Sequence, residues 1–379
     1  MRIYNWRITL KALSIYFLSM VLTWMIAFFF LLVFQIENST AFPNYLTEHL
    51  QMILWSGSIS GVTWGVIFKV RQSVKKYIPS YFLNISVSLV MNIFGAYTLL
   101  YCMFHIESFF TMKEFPRTYL QLIAFYSSPM FYVILIYFFI VGILIEIFYD
   151  VDSKLGKGVF VKLLLGRYFK PKEVERIFLF MDLKSSTHYA EKLGHFKYSR
   201  LIQDCFKDLT CAVKKNRAEI YQYVGDEAVL IWKVKQGLKE NRCLKLFFDF
   251  RKTIESRKNY YQKEYGMLPI FKAGAHIGKV MLAEVGELKS EIAYHGDAIN
   301  TAARIQAQCN SYRSKLLISI DLLEMLNNDN GELDGFINLK PVLLSGKEIP
   351  VEIYAYKEKK QASNGSDYEI GEYMNAWLN

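Results

Sequence analysis

The sequence predicts an α+β protein in two parts, a four-helix transmembrane region followed by a ferredoxin-like domain. Two observations carry this. The first 149 residues contain four long stretches with no charged side chain, while the remainder mixes charged and apolar residues in the usual way. Beyond residue 175, apolar runs of strand length alternate with amphipathic helical segments. Their order, strand–helix–strand–strand–helix–strand, is the ferredoxin-like pattern.

Residues 1–149 hold nine Lys/Arg and five Asp/Glu, against 36 and 30 in the rest of the chain. The charge-free stretches are 12–34, 50–68, 82–103 and 122–145. Each has about the 17–25 residues an α-helix needs to cross a bilayer. Helices suit lipid because they satisfy their own backbone groups. A buried bundle of a soluble protein is the alternative, and four stretches without charge argue against it. A cleaved leader fits poorly, because three more spans follow the first. Arg2, Arg7 and Lys11 precede span one, and Lys69, Arg71, Lys75 and Lys76 lie between spans two and three. The opposite side carries only Lys113 and Arg117. This asymmetry predicts an integral membrane protein with its N-terminus and residues 150–379 in the cytoplasm. The lipid bilayer is thus an expected partner. The spans themselves offer no buried ionisable pair and no His pair suited to haem.

The whole-chain charge of +10 does not form a basic stripe with interleaved aromatics, so no nucleic-acid partner is expected. Five cysteines without CxxC or Cys/His spacing read as reduced thiols rather than a metal site.

Residues 150–175 form a connector. It has a short apolar helix over 159–165 and a turn at Pro171, and is expected to pack on a partner copy or on the membrane face. The cytoplasmic domain covers 176–357, and 358–379 is a loose polar tail. Within the domain, 176–181 is a buried strand and 187–215 a long helix. Strands over 219–224 and 228–234 are joined at Gly225-Asp226, a hairpin signal. A helix over 242–265 follows. Two strands, 270–277 and 279–285, flank Gly278. Residues 291–297 form a loop and 298–311 a helix, and a strand over 315–319, a short helix and two strands complete the domain. This predicts a mainly antiparallel sheet with helices on one face.

Asp182 ends a buried strand, and Asp226 sits in the hairpin turn 44 positions later. Neighbouring strands would let the two carboxylates converge. Paired carboxylates at strand ends suit Mg²⁺, a hard ion that keeps substrate phosphates in its shell. Two such ions can serve an in-line phosphoryl displacement. Taken singly, Asp182 also reads as a helix N-cap and Gly-Asp as an ordinary turn. Asn300 and Arg304 lie four apart and share a helix face. An Arg there can meet charge developing on a phosphate.

Together the segments FLFMDLKSST, YQYVGDE, YHGDAINTAARIQ and LLSGKEIPVEIY resemble the class III nucleotidyl cyclases, over about residues 173–357. The connector ending LLLGRYFKPKEVERIF resembles that of membrane-anchored bacterial members, which implies a bacterial inner membrane. The resemblance implies a ferredoxin-like, palm-like catalytic domain. It implies conversion of a nucleoside triphosphate to the 3′,5′-cyclic monophosphate with release of pyrophosphate. It makes Asp182 and Asp226 ligands of two Mg²⁺ ions, replaceable by Mn²⁺, with the Leu183 carbonyl as a further ligand. Asn300 would lie near the ribose and Arg304 on the α-phosphate. Lys347 stands where a triphosphate-binding Lys is expected, although Ser345 replaces a basic residue common nearby and Lys347 also suits a solvated hairpin. The family's sites span a dimer interface, so a homodimer with two equivalent sites is implied.

The base-reading positions depart from the family's common patterns. Gln222 stands where adenylate-forming members often carry Lys, and Ala293 where Asp or Thr is usual. The Gln222 amide both donates and accepts, whereas the Ala293 side chain does neither. ATP is the expected substrate, with guanine or pyrimidine specificity as alternatives. A diguanylate cyclase would show GG(D/E)EF in place of VGDEA. A membrane receptor whose cyclase-like domain only binds nucleotide is the alternative of a different class.

Overall fold

A computed structural model describes residues 2–35, 42–74, 80, 83, 86–97, 123–124, 126–156, 158–288, 290–330, 333 and 335–357. The chain divides into two compact units, Met1–Leu155 and Gly156–Asn379.

Three helices of the first unit are long and apolar enough to cross a membrane, with spanning windows Leu13–Leu31, Ile53–Arg71 and Phe131–Asp152. A shorter apolar helix, Ser86–Tyr97, falls in the expected third span, and apart from Leu83 the rest of that span lies outside the described residues. The helices pack through aromatic contacts: Trp24 and Trp64 are buried with tilted rings whose centroids lie 4.4 Å apart. Gly57 and Gly61 allow this approach, since a Cβ at Gly61 would stand 2.4 Å from the Val21 backbone. This is the small-residue packing expected where lipid provides no hydrophobic drive. One expectation is corrected here. The helices Phe42–Val74 and Pro129–Leu155 run past the charge-free stretches. Their ends pair Arg71 with Glu146 (3.0 Å) and Asp150 (2.7 Å), and Arg71 and Glu146 are buried. A scan for uncharged segments stops short of these residues and so misses the pair.

In the second unit a short helix, Val159–Leu164, precedes β1 (Lys172–Leu183). The long helix Ser186–Lys215 follows, then β2 (Glu219–Val224) and β3 (Glu227–Lys233). The expected helix over 242–265 is two helices, Arg242–Ser256 and Lys258–Tyr265, broken at Arg257. Next come β4 (Phe271–Val285), β5 (Glu291–His295), the helix Asp297–Ala307 and β6 (Leu316–Ser319). The helix Ile320–Asn330, β7 (Phe336–Val342) and β8 (Val351–Tyr356) end the fold.

The strands form one sheet in the order β2-β3-β1-β4-β6-β8-β7, with β5 paired to β4. Among the described residues, only the β4–β6 pairing is parallel. Two expectations change. Gly278 does not divide two strands; β4 runs straight through it. Its missing side chain serves helix packing instead, because a Cβ there would lie 2.7 Å from that of Ala298. Residues 291–295 are a strand, not a loop, pairing Ala293 with Ala283.

Helices also cover both faces of the sheet, not one. Ile177, Leu179 and Met181 of β1 face the main core with Leu201, Leu209, Phe247 and Phe250. Phe178 and Phe180 alternate to the other face and pack against Val280, Ala298 and Ala302. Burying each such large side chain contributes about 1.5–3 kcal/mol. Period-two alternation therefore sends Asp182 to the same face as the Asp297–Ala307 helix. The sequence pattern missed this because the helix is short and its footing on the sheet is alanine and glycine rather than large apolar residues.

Candidate active site

Asp182 is the penultimate residue of β1, not a helix cap; Ser185 holds the cap position with φ of 59°. β1 pairs on both sides, setting Asp182 opposite Glu227 on β3 and opposite Lys272 on β4. Asp226 lies in the two-residue turn between β2 and β3, where Gly225 takes a positive φ of 59°. The fold thus brings Asp182 and Asp226 to one end of neighbouring strands, as the sequence predicts. Leu183, the last residue of β1, has a fully buried side chain.

The electrostatics of this corner are those of crowded carboxylates. Burial pushes the Asp182 carboxyl up, opposed by Lys272 and reinforced by the charge of Asp226. Glu227 is pushed up to about 7 by burial, then by Asp182 and Asp226. The Tyr198 phenol is raised to about 12 by burial and by Asp226. Asp226 Oδ2 is buried and has no hydrogen-bond partner among the described residues. The Lys272 ammonium contacts Asp182 at 3.1 Å, and Gln306 Nε2 donates to Asp182 Oδ2 at 3.2 Å. Three carboxylates, one lysine and an orphaned oxygen fit a divalent cation, whose charge favours ionised oxygen ligands. Among the described residues, no group of three or more His, Cys, Asp or Glu is arranged to hold a metal by itself. The fit is therefore to two carboxylates completed by backbone and substrate oxygens.

Lys272, Tyr198, Gln306 and Glu227 are absent from the residues singled out by sequence. Lys272 carries little signal, because β4 also holds His276, Lys279 and Glu284. Tyr198 and Gln306 carry none, because helical spacing alone does not say which strand end they reach.

Asn300 and Arg304 stand on the Asp297–Ala307 helix. Ala298, Thr301, Ala302, Ile305 and Gln306 are its buried residues, while Asn300 is exposed and Arg304 half-buried. At 100° per residue the Asn300–Arg304 face is turned about 150° from the buried one. The chain's own Asn300 and Arg304 thus look away from the sheet. The helix sits tight on β4: a Cβ at Gly274 would come within 2.2 Å of the Gln306 backbone nitrogen.

Lys347 lies half-buried in the hairpin loop between β7 and β8. Its ammonium contacts Asp297 Oδ2 at 2.6 Å, and this holds the Asp297 carboxyl below its usual range. Thr301 Oγ1 donates to the same oxygen at 3.2 Å. The neighbouring Gly346 (φ 70°) leaves room for Arg304, whose Nη2 would stand 3.1 Å from a Cβ there. The loop therefore brings Lys347 beside the Asn300/Arg304 helix. Gln222 is exposed on the edge strand β2, and Ala293 half-buried on β5. Their neighbours Tyr221 and Tyr294 meet edge to face at 5.2 Å.

Comparison with known proteins agrees with this architecture. The family described as adenylate and guanylate cyclase catalytic domain matches residues 170–356. Adenylate cyclase 2 of Rhizobium meliloti (strain 1021) is 38% identical over 176 residues, 46% of this chain and 48% of that protein. Photoactivated adenylate cyclase subunit beta of Euglena gracilis is 31% identical over 85 residues, 22% of this chain and 10% of that one. The chain thus spans about half or less of the length of these curated relatives. The structure of a bacterial light-regulated adenylyl cyclase shares the fold at a TM-score of 0.50 and 19% identity, covering 61% of this chain and 67% of that one. Through residues 170–356, the chain belongs to the adenylate and guanylate cyclase family.

Proposed function

We propose that the protein is a membrane-anchored nucleotidyl cyclase, acting on ATP, with two equivalent sites in a homodimer. Its products would be the 3′,5′-cyclic monophosphate and pyrophosphate, for intracellular signalling. The observation that carries the reading is the convergence of Asp182 and Asp226, with one buried Asp226 oxygen left without a hydrogen-bond partner among the described residues.

Asp182, Asp226 and the Leu183 carbonyl would hold two divalent ions, Mg²⁺ or Mn²⁺. Such ions acidify an attacking hydroxyl and neutralise phosphate charge. Lys272 keeps Asp182 neutralised between substrate encounters. Asn300 orients the ribose, and Arg304 meets the charge that grows on the α-phosphate oxygens during in-line attack by the 3′-hydroxyl. Lys347, held against the same helix, takes the terminal phosphates. The outward face of Asn300 and Arg304 supports a site completed by a second copy, each chain supplying carboxylates to one site and the amide and guanidinium to the other.

The relative at 38% identity is named an adenylate cyclase, which favours ATP. Gln222 would read the base with its amide, and the Ala293 position with backbone only. Three long apolar helices, the shorter apolar helix Ser86–Tyr97 inside a fourth expected crossing, and the Lys/Arg asymmetry support a four-span bilayer anchor with the N-terminus and catalytic domain in the cytoplasm, in a bacterial inner membrane. Residues 150–175 serve as the connector between anchor and catalytic domain; the tail 358–379 lies outside the described residues.

The test is turnover of ATP, GTP, CTP and UTP by membranes containing the protein, with Mg²⁺ or Mn²⁺, and products identified by mass spectrometry. Cyclic AMP is expected. Another cyclic product would reassign the base, and nucleotide binding without any cyclic product would favour a receptor.

A further inference from the structure

Between Asp152 and Glu173 the chain carries six Lys/Arg and no Asp or Glu. Within this stretch the helix Val159–Leu164 and the turn after it turn apolar side chains to the outside. Val161 is 42% exposed, Leu164 68%, Leu165 64% and Phe169 83%. Residues 161, 164 and 165 share one helix face by their spacing. The element is fixed to its unit. Gly166 (φ 62°) ends the helix, with Arg167 N–H donating to the Lys162 carbonyl at 2.9 Å. Tyr168 is buried, and its carbonyl accepts from the Glu284 N–H of β4 at 3.2 Å. Tyr168 therefore anchors the turn while Leu164, Leu165 and Phe169 project from it.

We propose that this segment is a membrane-docking foot, inserting Val161, Leu164, Leu165 and Phe169 between anionic lipid headgroups while Lys162, Arg167, Lys170 and Lys172 pair with the phosphates. The inference rests on the reading of the apolar helices as membrane spans. Chain continuity puts the bilayer within reach, since the foot begins four residues after Leu155, the end of the last apolar helix. Charge decides between a lipid surface and a second copy of the same face. Two copies meeting there would oppose like charges with no acid in the segment to offset them, whereas anionic lipid complements every one. Apolar side chains flanked by Lys and Arg are the composition that lies in an interface. Docking would fix the tilt of the catalytic domain against the bilayer, so lipid charge would become an input to the cyclase.

The test uses the full chain in phosphatidylcholine vesicles with and without phosphatidylglycerol. A nitroxide is placed at Phe169→Cys with Cys102 and Cys211 replaced by Ser; Cys205, Cys243 and Cys309 are buried. Retention in the vesicles after alkaline extraction checks the anchor reading separately. With anionic lipid present, the label is expected to be reached by dissolved oxygen and shielded from a water-soluble nickel chelate. Each of Lys162→Gln, Arg167→Gln and Lys170→Gln should weaken docking about fivefold. Free access of the nickel chelate in both lipids, in protein that stays embedded, overturns the proposal. So does lipid-independent spin–spin broadening between labels, which would assign the patch to a second copy.

Discussion

The Lys272 ammonium stands 3.1 Å from the Asp182 carboxylate, on the neighbouring strand and directly opposite in register. The lysine is mostly buried, so this pair counts for more than a surface ion pair would. Glu227 faces Asp182 from the other neighbouring strand, and Asp226 adds a third carboxylate. One cation among three acids leaves the corner short of positive charge.

That shortage predicts opposite effects on stability and on activity. Asp226→Asn should raise the stability of the protein in EDTA by about 1 kcal/mol, by relieving like-charge crowding. The same variant should lose at least about 10²-fold in cyclase turnover. Thermal unfolding in detergent with and without Mg²⁺, beside a turnover assay, reads both effects. A variant less stable than wild type in EDTA would contradict the crowding.

His276 gives a pH dependence of known sign. It is buried, its Nδ1 lies 2.7 Å from Ser319 Oγ, and burial lowers its pKa from 6.5 to about 4, against the charge of Asp321. The unfolded chain therefore binds the proton more tightly between these values. Stability from this group is fully present above pH 6.5 and is lost as pH falls toward 4, on the order of 3 kcal/mol in all. Unfolding measured across that window should show the slope, and His276→Asn should flatten it.

Gly274 is the seat of the Asn300/Arg304 helix. A methyl at Gly274→Ala would meet the Gln306 backbone nitrogen at 2.2 Å, so the helix must lift. Overpacking of this kind costs about 1–3 kcal/mol. A shift of about 1 Å in Arg304 is enough to cost roughly 10²-fold in rate. Gly278→Ala should act the same way more mildly, since its closest approach is to the Ala298 methyl, at 2.7 Å.

Much of this was legible in the residues, and the failures have physical causes. Asp182 and Asp226 stand out only jointly, through the four ordered segments that resemble the class III nucleotidyl cyclases, because each alone also suits a helix cap or an ordinary turn. Lys347 was found as a position, but its ion pair with Asp297 joins residues 50 apart and is set by tertiary packing. Gly278 read as a turn because glycine has two uses, and sequence does not separate a bend from a close helix contact. Residues 291–295 read as a loop because the strand is five residues long and borders a charged segment. The Arg71–Glu146 pair was invisible because the helices outrun their uncharged cores.

The central claim is that one chain supplies Asp182 and Asp226 while its partner supplies Asn300 and Arg304. The most direct measurement is turnover after co-expression of Asp182→Ala with Arg304→Ala, each inactive alone, with mixed dimers verified by two affinity tags. Random pairing makes half the dimers mixed, each with one intact site, so about a quarter of the wild-type rate is expected. Mixed dimers that turn over no more than either parent would contradict a site shared between subunits.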